Sequence, residues 1–468
     1  MCRPALVALA AAVVCIAGGA AFAAGADTAA ALSFTPPIDY GVGGRPADLA
    51  SADVNRDGRP DIVASAGDGI SILLWRGSGR FARATHIPLE HQPGAIAVAD
   101  VDGDGAVDVV TAGSDDDTVT VLLGDGAGSF IARGTYPTGK DPRDVVIGDV
   151  TGDGVADVAT ADQDAGAVSV LRGDGSGALL PPLDLATGES CYRLLCADFN
   201  RDGIMDLAYN RYSWDEYAGF GVLLADGAGG FTPTGTYETG WAESAPHGLA
   251  LADLNYDGKP DLCVLQGYEG GTVWWFLGDG LGSFITAGRT DFIGGLAQAD
   301  GFAVADVDRR FGDDVVTSAQ VEPGRPTRIY VLRRTAWHSL SFTPTWFNAR
   351  RTVGELVAAD FNGDRRPDLA WTDRNSDNVS VRMNGSLPVL TGVSPARGRT
   401  GTVITLTGRH FAKRPGLVRF GGKTATAYLS WSTTRVKVRV PSGTPKARLR
   451  VTVTTGVGRS APRYFTRL

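Results

Sequence analysis

From about residue 33 onward the chain alternates short apolar runs with polar, glycine-rich stretches, and no segment there keeps a helical period. One unit shows the rule. Ala95-Ile-Ala-Val-Ala99 predicts a strand, Asp100 to Asp108 a polar loop, Val109-Val-Thr-Ala112 a second strand and Val119 to Leu123 a third. Glycines in Gly124-Asp-Gly-Ala-Gly-Ser-Phe130 supply the positive φ of a tight turn, after which a fourth strand runs to about Tyr136. The polar loop, Asp-x-Asp/Asn/Thr-x-Asp-Gly-x-x-Asp, recurs with local departures from Asp53, Asp100, Asp149, Asp198, Asp253, Asp306 and Asp360, at intervals of 47 to 55 residues. Such a period marks an array of like units that bury their apolar faces against one another. Four short antiparallel strands per unit make one propeller blade.

The glycine turn returns at Gly77 to Phe81, Gly173 to Gly177, Ala225 to Phe231 and Gly278 to Phe284, and decays at Arg333 to Leu340. The seventh unit stops after its third strand, Val379 to Met383, while an orphan strand, Ser33 to Tyr40, precedes the first unit. The N-terminal segment is therefore expected to complete the last blade, pairing edges that would otherwise be exposed. After Pro388 the runs Val403 to Thr407, Val418 to Phe420, Val436 to Val440 and Leu449 to Val453, divided by Gly, Pro and Ser turns, suit a small β-sandwich. The expectation is an all-β chain: a seven-bladed β-propeller over 33–386, then an immunoglobulin-like sandwich over 388–468.

Composition adds compartment and charge. Residues 1–23 read as a secretory signal, an apolar run Ala5 to Gly19 ending in Ala21-Phe-Ala23, so the mature protein is expected to be exported, secreted or held in the periplasm or at the cell surface, without a transmembrane anchor. Three cysteines remain, Cys191, Cys196 and Cys263, an odd count that forms no disulfide framework; buried free thiols are expected. Residues 388–468 hold no Asp or Glu and 16 of the 44 Lys plus Arg, so the formal net of −8 joins a segment at +16 to one at −24. Such a basic segment could meet an anionic envelope surface or the acidic propeller, and an exported chain is not expected to meet nucleic acid.

Oxygens at alternate loop positions 1, 3 and 5, a turn glycine at 6 and Asp at 9 can converge on a hard cation such as Ca2+. Asp and Gly also make turns without any ion. Full sets are Asp53, Asn55, Asp57, Asp61; Asp100, Asp102, Asp104, Asp108; Asp198, Asn200, Asp202, Asp206; and Asp253, Asn255, Asp257, Asp261. The third loop has Thr151 between Asp149 and Asp153, with Asp157 closing, and the seventh keeps Asp360, Asn362, Asp364 and Asp368 with Arg365 replacing the glycine. In the sixth, Arg310 and Phe311 follow Asp306 and Asp308; a guanidinium there would take the cation's place, so this loop is expected to be empty. About six structural Ca2+ ions follow as the expectation.

The loop and turn together resemble the FG-GAP/VCBS repeat family, the propeller of which the head of integrin α subunits is a relative. That resemblance covers roughly 33 to 386 and implies Ca2+ in the loop between first and second strands. The tail resembles an IPT/TIG domain through Val393-Ser-Pro395, Gly401-Thr402, Gly408-Arg-His-Phe411, Val418-Arg-Phe-Gly421 and Val440-Pro441. Neither resemblance fixes a ligand.

In such blades the loops joining strands 2 to 3, and each blade to the next, share the face opposite the Asp loops. There the fourth repeat inserts Asn210 to Tyr217 and exits through Thr239 to His247, and the fifth adds Gln266 to Glu269. Tyr212, Trp214, Asp215, Tyr217, Trp241, Glu243, His247 and Tyr268 are the candidate aromatic and acidic ligand patch, the composition of a glycan or protein contact or of local packing. Arg172-Gly-Asp174 spells an adhesion tripeptide but sits in the repeating turn, and Gly422-Lys-Thr lacks the earlier glycine of a phosphate loop. No nucleophile or His-based metal spacing appears, so no catalytic residue is assigned. Three functions remain open: a non-enzymatic calcium-binding recognition or adhesion protein, a polysaccharide lyase or hydrolase using Asp215, Glu243, His247 and Tyr217 as acids and bases, and a purely structural module of a larger envelope assembly.

Overall fold

The computed structural model describes residues 32–212, 217–241, 246–267, 271–292, 298–320, 326–337, 339–349, 352–373, 375–413 and 415–468. The candidate signal lies outside them. Every regular element in the described residues is a strand, and none is a helix long and apolar enough to cross a membrane.

Seven four-stranded antiparallel sheets can be counted in the described part of residues 38–382. In the second, Ala95–Ala99, Asp108–Gly113, Thr118–Gly124 and Phe130–Pro137 follow one another across the sheet, within a residue or two of the boundaries expected from patterning. The last sheet is completed by Ile38–Gly41, which pairs antiparallel with Asn378–Arg382, with Phe34 bridging Asn384 further along. The orphan N-terminal strand thus supplies the missing edge partner. First strands pack each on the next round a closed ring, Val353–Ala359 returning to Leu49–Ala52, so the sheets form a propeller.

Apolar residues at loop position 2 explain the seams. Val54, Val101, Val150, Phe199, Leu254, Val307 and Phe361 are all buried within otherwise polar loops. The aromatic ending a glycine turn reaches the preceding blade: Phe81 meets Phe361 edge-on at 5.2 Å, and Phe284 meets Phe199 at 5.6 Å. One apolar letter within each acidic loop therefore joins successive blades, by burial plus an edge-to-face aromatic geometry.

The tail folds as two sheets, one ordered Val389–Ser394, Val403–Arg409, Arg435–Arg439, Tyr428–Trp431, the other built on Leu417–Phe420, Arg448–Thr455 and Arg463–Arg467. Leu406, Phe411, Phe420, Val438, Val451 and Phe465 form its separate core, while the alternate Arg and Lys of these strands face outward. A hairpin tip of this domain rests on the propeller: Val457 joins the core at the seam of the first and last blades, and Gly456 lies against Asn362. Cys191, Cys196 and Cys263 are free; the first and third are fully buried, and Cys191 precedes the strand Leu194–Ala197 rather than lying within it.

Candidate functional site

The Asp loops join first to second strands, and their geometry is built from hydrogen bonds to their own backbone. Position 1 accepts from position 6: Asp53 Oδ2 from the Gly58 amide at 2.7 Å, Asp100 Oδ2 from Gly105 at 2.8 Å, Asp198 Oδ2 from Gly203 at 3.0 Å. Positions 4 and 6 take positive φ, with Arg56, Arg201 and Tyr256 held at 55°, 65° and 60° where Gly103 and Gly152 serve elsewhere. Arg365, in place of glycine, is forced to φ 69°, the strain its sequence position implies.

The closing Asp is the buried member. Asp108 accepts the Gly124 amide at the end of the third strand on Oδ1 (2.7 Å) and the Val101 amide on Oδ2 (2.8 Å). Asp157, Asp206, Asp261 and Asp314 repeat that pair of bonds, so each staples its loop to the far end of its sheet. Burial pushes these carboxyls up, Asp61 to about 7, Asp108 and Asp206 to about 6 and Asp314 to about 8, against backbone amides that pull the other way.

Two loops bring carboxylates together tightly enough for one metal ion: Asp100, Asp102 and Asp108, and Asp306, Asp308 and Asp314, each with ligand oxygens within 4.8 Å of one another. The second cluster is in the loop expected to be empty. Arg333 pairs with Asp308, its Nη1 3.9 Å away, and the Arg310 guanidinium foreseen from the sequence also acts on Asp308 electrostatically; Asp314, at position 9, supplies the third carboxylate. Asp306 Oδ1 and Asp308 Oδ1 are buried there without a hydrogen-bond partner. Both sets fit a hard cation by donor type and convergence.

Elsewhere some expected ligands have other engagements. Thr151 Oγ1 donates to Asp157 Oδ2 at 3.1 Å, Asn362 Nδ2 donates to both oxygens of Asp368, and Lys259 pairs with Asp257 at 3.2 Å. Asn55, Asn200 and Asn255 accept the amides of Asp57, Asp202 and Asp257. Asp174 of the adhesion-like tripeptide accepts from Ser176 and Ala178 within its own turn.

The candidate ligand patch is expected on the opposite face. Trp214, Asp215, Glu243 and Tyr268 lie outside the described residues. Tyr217 and Trp241 occupy directly paired positions at the ends of two strands, and Tyr212 bridges Ser190. His247 lies further in, on the wall of a cavity of about 210 Å3 along the propeller axis. Patterning missed the cavity's charged residues, Asp48, Asp144, Arg193 and Glu355. A signal existed: all four stand five residues before the first Asp of their loops, at the start of the innermost strand, where other repeats place Ala95, Gly248 and Gly301.

These side chains tie the ring. Asp48 accepts its neighbour's amide, Leu49, at 2.7 Å and the next blade's Ile96 amide at 2.9 Å; Asp144 repeats this with Val145 and Leu194, both at 2.9 Å. Arg193 crosses the ring to pair with Glu355 and donates through Nε to the His247 carbonyl at 3.0 Å. Tyr192 donates to the Pro246 carbonyl at 2.9 Å, its ring edge-on to His247 at 6.3 Å. Burial first, then the charges of Glu355 and Asp144, raise Asp48 to about 8; burial raises Asp144 to about 6.

The FG-GAP-like repeat description matches residues 53–111, 100–160, 149–209 and 253–317, and the IPT/TIG domain description matches 388–466. The chain carries FG-GAP-like repeats and a C-terminal IPT/TIG domain. The chain is 38% identical over 77 residues to a cyclomaltodextrin glucanotransferase of Thermoanaerobacterium thermosulfurigenes, covering 16% of this chain and 11% of that enzyme. A cyclomaltodextrin glucanotransferase of a Bacillus species is 35% identical over 81 residues, 17% of this chain and again 11% of the enzyme. The matched stretch is thus a small part of each relative. Among solved structures, BBS1N in complex with ARL6DN superposes with a TM-score of 0.51 at 11% identity, covering 74% of this chain and 96% of that one, a likeness of fold alone.

Proposed function

We propose that this FG-GAP repeat protein is an exported, non-enzymatic recognition module. Its Asp loops hold Ca2+ as structural fastenings, its opposite face takes a glycan or protein ligand of the cell envelope, and its basic IPT/TIG domain spaces or anchors the propeller on an anionic surface. One observation carries the reading: Tyr217 and Trp241, which border the insertion after Asn210 and the exit loop before His247, are paired in register at the ends of adjacent strands. Chemical variety concentrated on one end of an otherwise repeating scaffold is how propellers and other rigid scaffolds carry binding sites.

The carboxylates of loops one to five and seven, with Thr151 in the third, would hold the ions, and the converging acids of loop six are a further candidate, each ion a hard cation neutralising acids that otherwise repel one another. The test is a glycan and envelope-extract binding screen with and without chelator. Replacing Trp214 and Trp241 together should abolish capture while leaving the thermal unfolding curve in place; capture that survives the double change rejects this face.

A polysaccharide-active enzyme is the second reading, supported by the partial likeness to glucan-acting enzymes and by His247, which stands in a cavity beside carboxylates. Asp215, Glu243, His247 and Tyr217 would then supply acid and base. Product detection on the same glycan panel separates the two readings, since cleavage excludes a pure binder.

A further inference from the structure

We propose that the axial mouth of the propeller binds a primary ammonium group carried on an apolar stem, at a site that shares His247 with the ligand surface proposed above but otherwise stands apart from it. Among the residues lining this cavity three carboxylates, Asp48, Asp144 and Glu355, face a single permanent cation, Arg193. Glu355 takes that guanidinium, whose Nε is also committed to the His247 carbonyl. Arg193 bears on Asp48 and Asp144 through its charge, but among the described residues no cation makes ion-pair contact with either. Backbone amides of two successive blades hold both carboxylates in place, leaving further lone pairs for a ligand.

The chemistry below the mouth selects the rest of the ligand. Innermost strands line the tunnel with Ile96, Val98, Leu195, Leu249, Leu251 and Val357, so a charged tail would lose its hydration there and an alkyl stem would not. A volume of about 210 Å3 has room for such a stem, given that an apolar cavity of about 150 Å3 accepts benzene. A bare metal ion fits poorly. The groups that converge within 4.8 Å belong to the Asp loops, and the axial carboxylates, which come from different blades, are not among them. An anion would meet an excess of negative charge and a guanidinium already engaged.

Ammonium binding also draws protons off. Asp48, raised to about 8, and Asp144, raised to about 6, face Glu355, Arg193 and the His247 segment. A cation placed among them favours their ionised forms, so affinity increases as pH rises from 6 to 8 and binding releases protons.

Titration calorimetry of the full chain with hexylammonium, hexan-1-ol and hexanoate tests this. Hexylammonium is expected to bind at least tenfold more tightly at pH 8 than at pH 6, with proton release in buffers of different ionisation enthalpy, while hexanol and hexanoate give no saturable heat. Asp48→Asn and Asp144→Asn should each weaken it at least tenfold. If either variant fails to fold, the pH dependence and proton release of the unaltered protein still decide. Equal binding of hexanoate, affinity independent of pH, or undiminished binding by both folded variants overturns the proposal. A lysine peptide that displaces hexylammonium assigns the natural ammonium to a partner protein's side chain, and failure to displace assigns it to a free amine. The Trp214 and Trp241 double variant is expected to keep hexylammonium binding, so failure of the glycan or protein reading and failure of this one are told apart.

Discussion

The two faces of the propeller use the same residue types for different ends. On the loop face, Asp recurs at fixed positions, and most of its oxygens are taken by amides of its own loop or sheet. At the axial mouth, one equivalent position is Asp, Arg, Glu, Ala or Gly according to the blade, and its charges reach across blades: Arg193 to Glu355, Asp48 to Ile96 and Asp144 to Leu194. Where each unit solves the same closure problem the letter repeats. Where seven strands meet on one axis, identical charges would repel, and the letters must differ.

Separating the axial pair should cost most. Arg193→Met leaves Glu355 unpaired beside two further carboxylates, and a loss of about 3–5 kcal/mol is expected in urea unfolding; the double variant Arg193→Met with Glu355→Leu should regain most of it, and a double variant as unstable as the single one would deny the pair its role. On the loop face Asp108→Ala orphans the Gly124 and Val101 amides and should cost roughly 2–4 kcal/mol, whereas Asp125→Ala in the exposed turn should cost far less. Equal effects would erase the distinction between staple and turn.

Calcium should act on one face alone. Saturating Ca2+ at about 100 times its Kd would add roughly 2.7 kcal/mol per ion bound only by the folded state, read as a rise in melting temperature that chelator reverses; an unchanged melting curve after exhaustive chelation refutes structural calcium. Alanine at both Asp306 and Asp308 distinguishes whether the sixth loop shares in that rise: a smaller Ca2+ shift than in the unaltered chain places an ion there.

The axial acids give a smaller, signed effect. Asp48 is raised to about 8 in the folded protein, so its contribution to stability is complete below the unfolded carboxyl range near 4 and fades as pH climbs through 8. Asp48→Asn should therefore flatten the decline of stability between pH 4 and pH 8. A variant that keeps the full slope would move the titration elsewhere. The smallest effect expected is on retention by anionic glycan through the basic IPT/TIG domain, which should weaken steadily between low and high salt.

Period and turn chemistry made the blades readable, because each strand is short, each turn carries its own glycine and each loop its own acids. The edge strand at residues 38 to 41 was also legible, as a fourth strand without a blade. Three tail strands, Val389–Ser394, Tyr428–Trp431 and Arg463–Arg467, were not singled out, since their apolar positions are few and broken by charge. Loop six shows the limit of spacing: Arg310 occupies a ligand position in the list of letters, yet the backbone there still carries Asp306, Asp308 and Asp314 to one point. Spacing shows which residues belong to a loop, and not where their side chains turn.

What the sequence determined by itself is everything local: strands, turns, the acidic loops, the opposite charges of propeller and tail. Tertiary structure alone decided what the axis contains. Asp48, Asp144, Arg193 and Glu355 are up to 307 residues apart in the chain, and ring closure brings them to one cavity because each stands in or just before the innermost strand of its blade. A repeat fixes what each unit holds. Only closure fixes what the units face together.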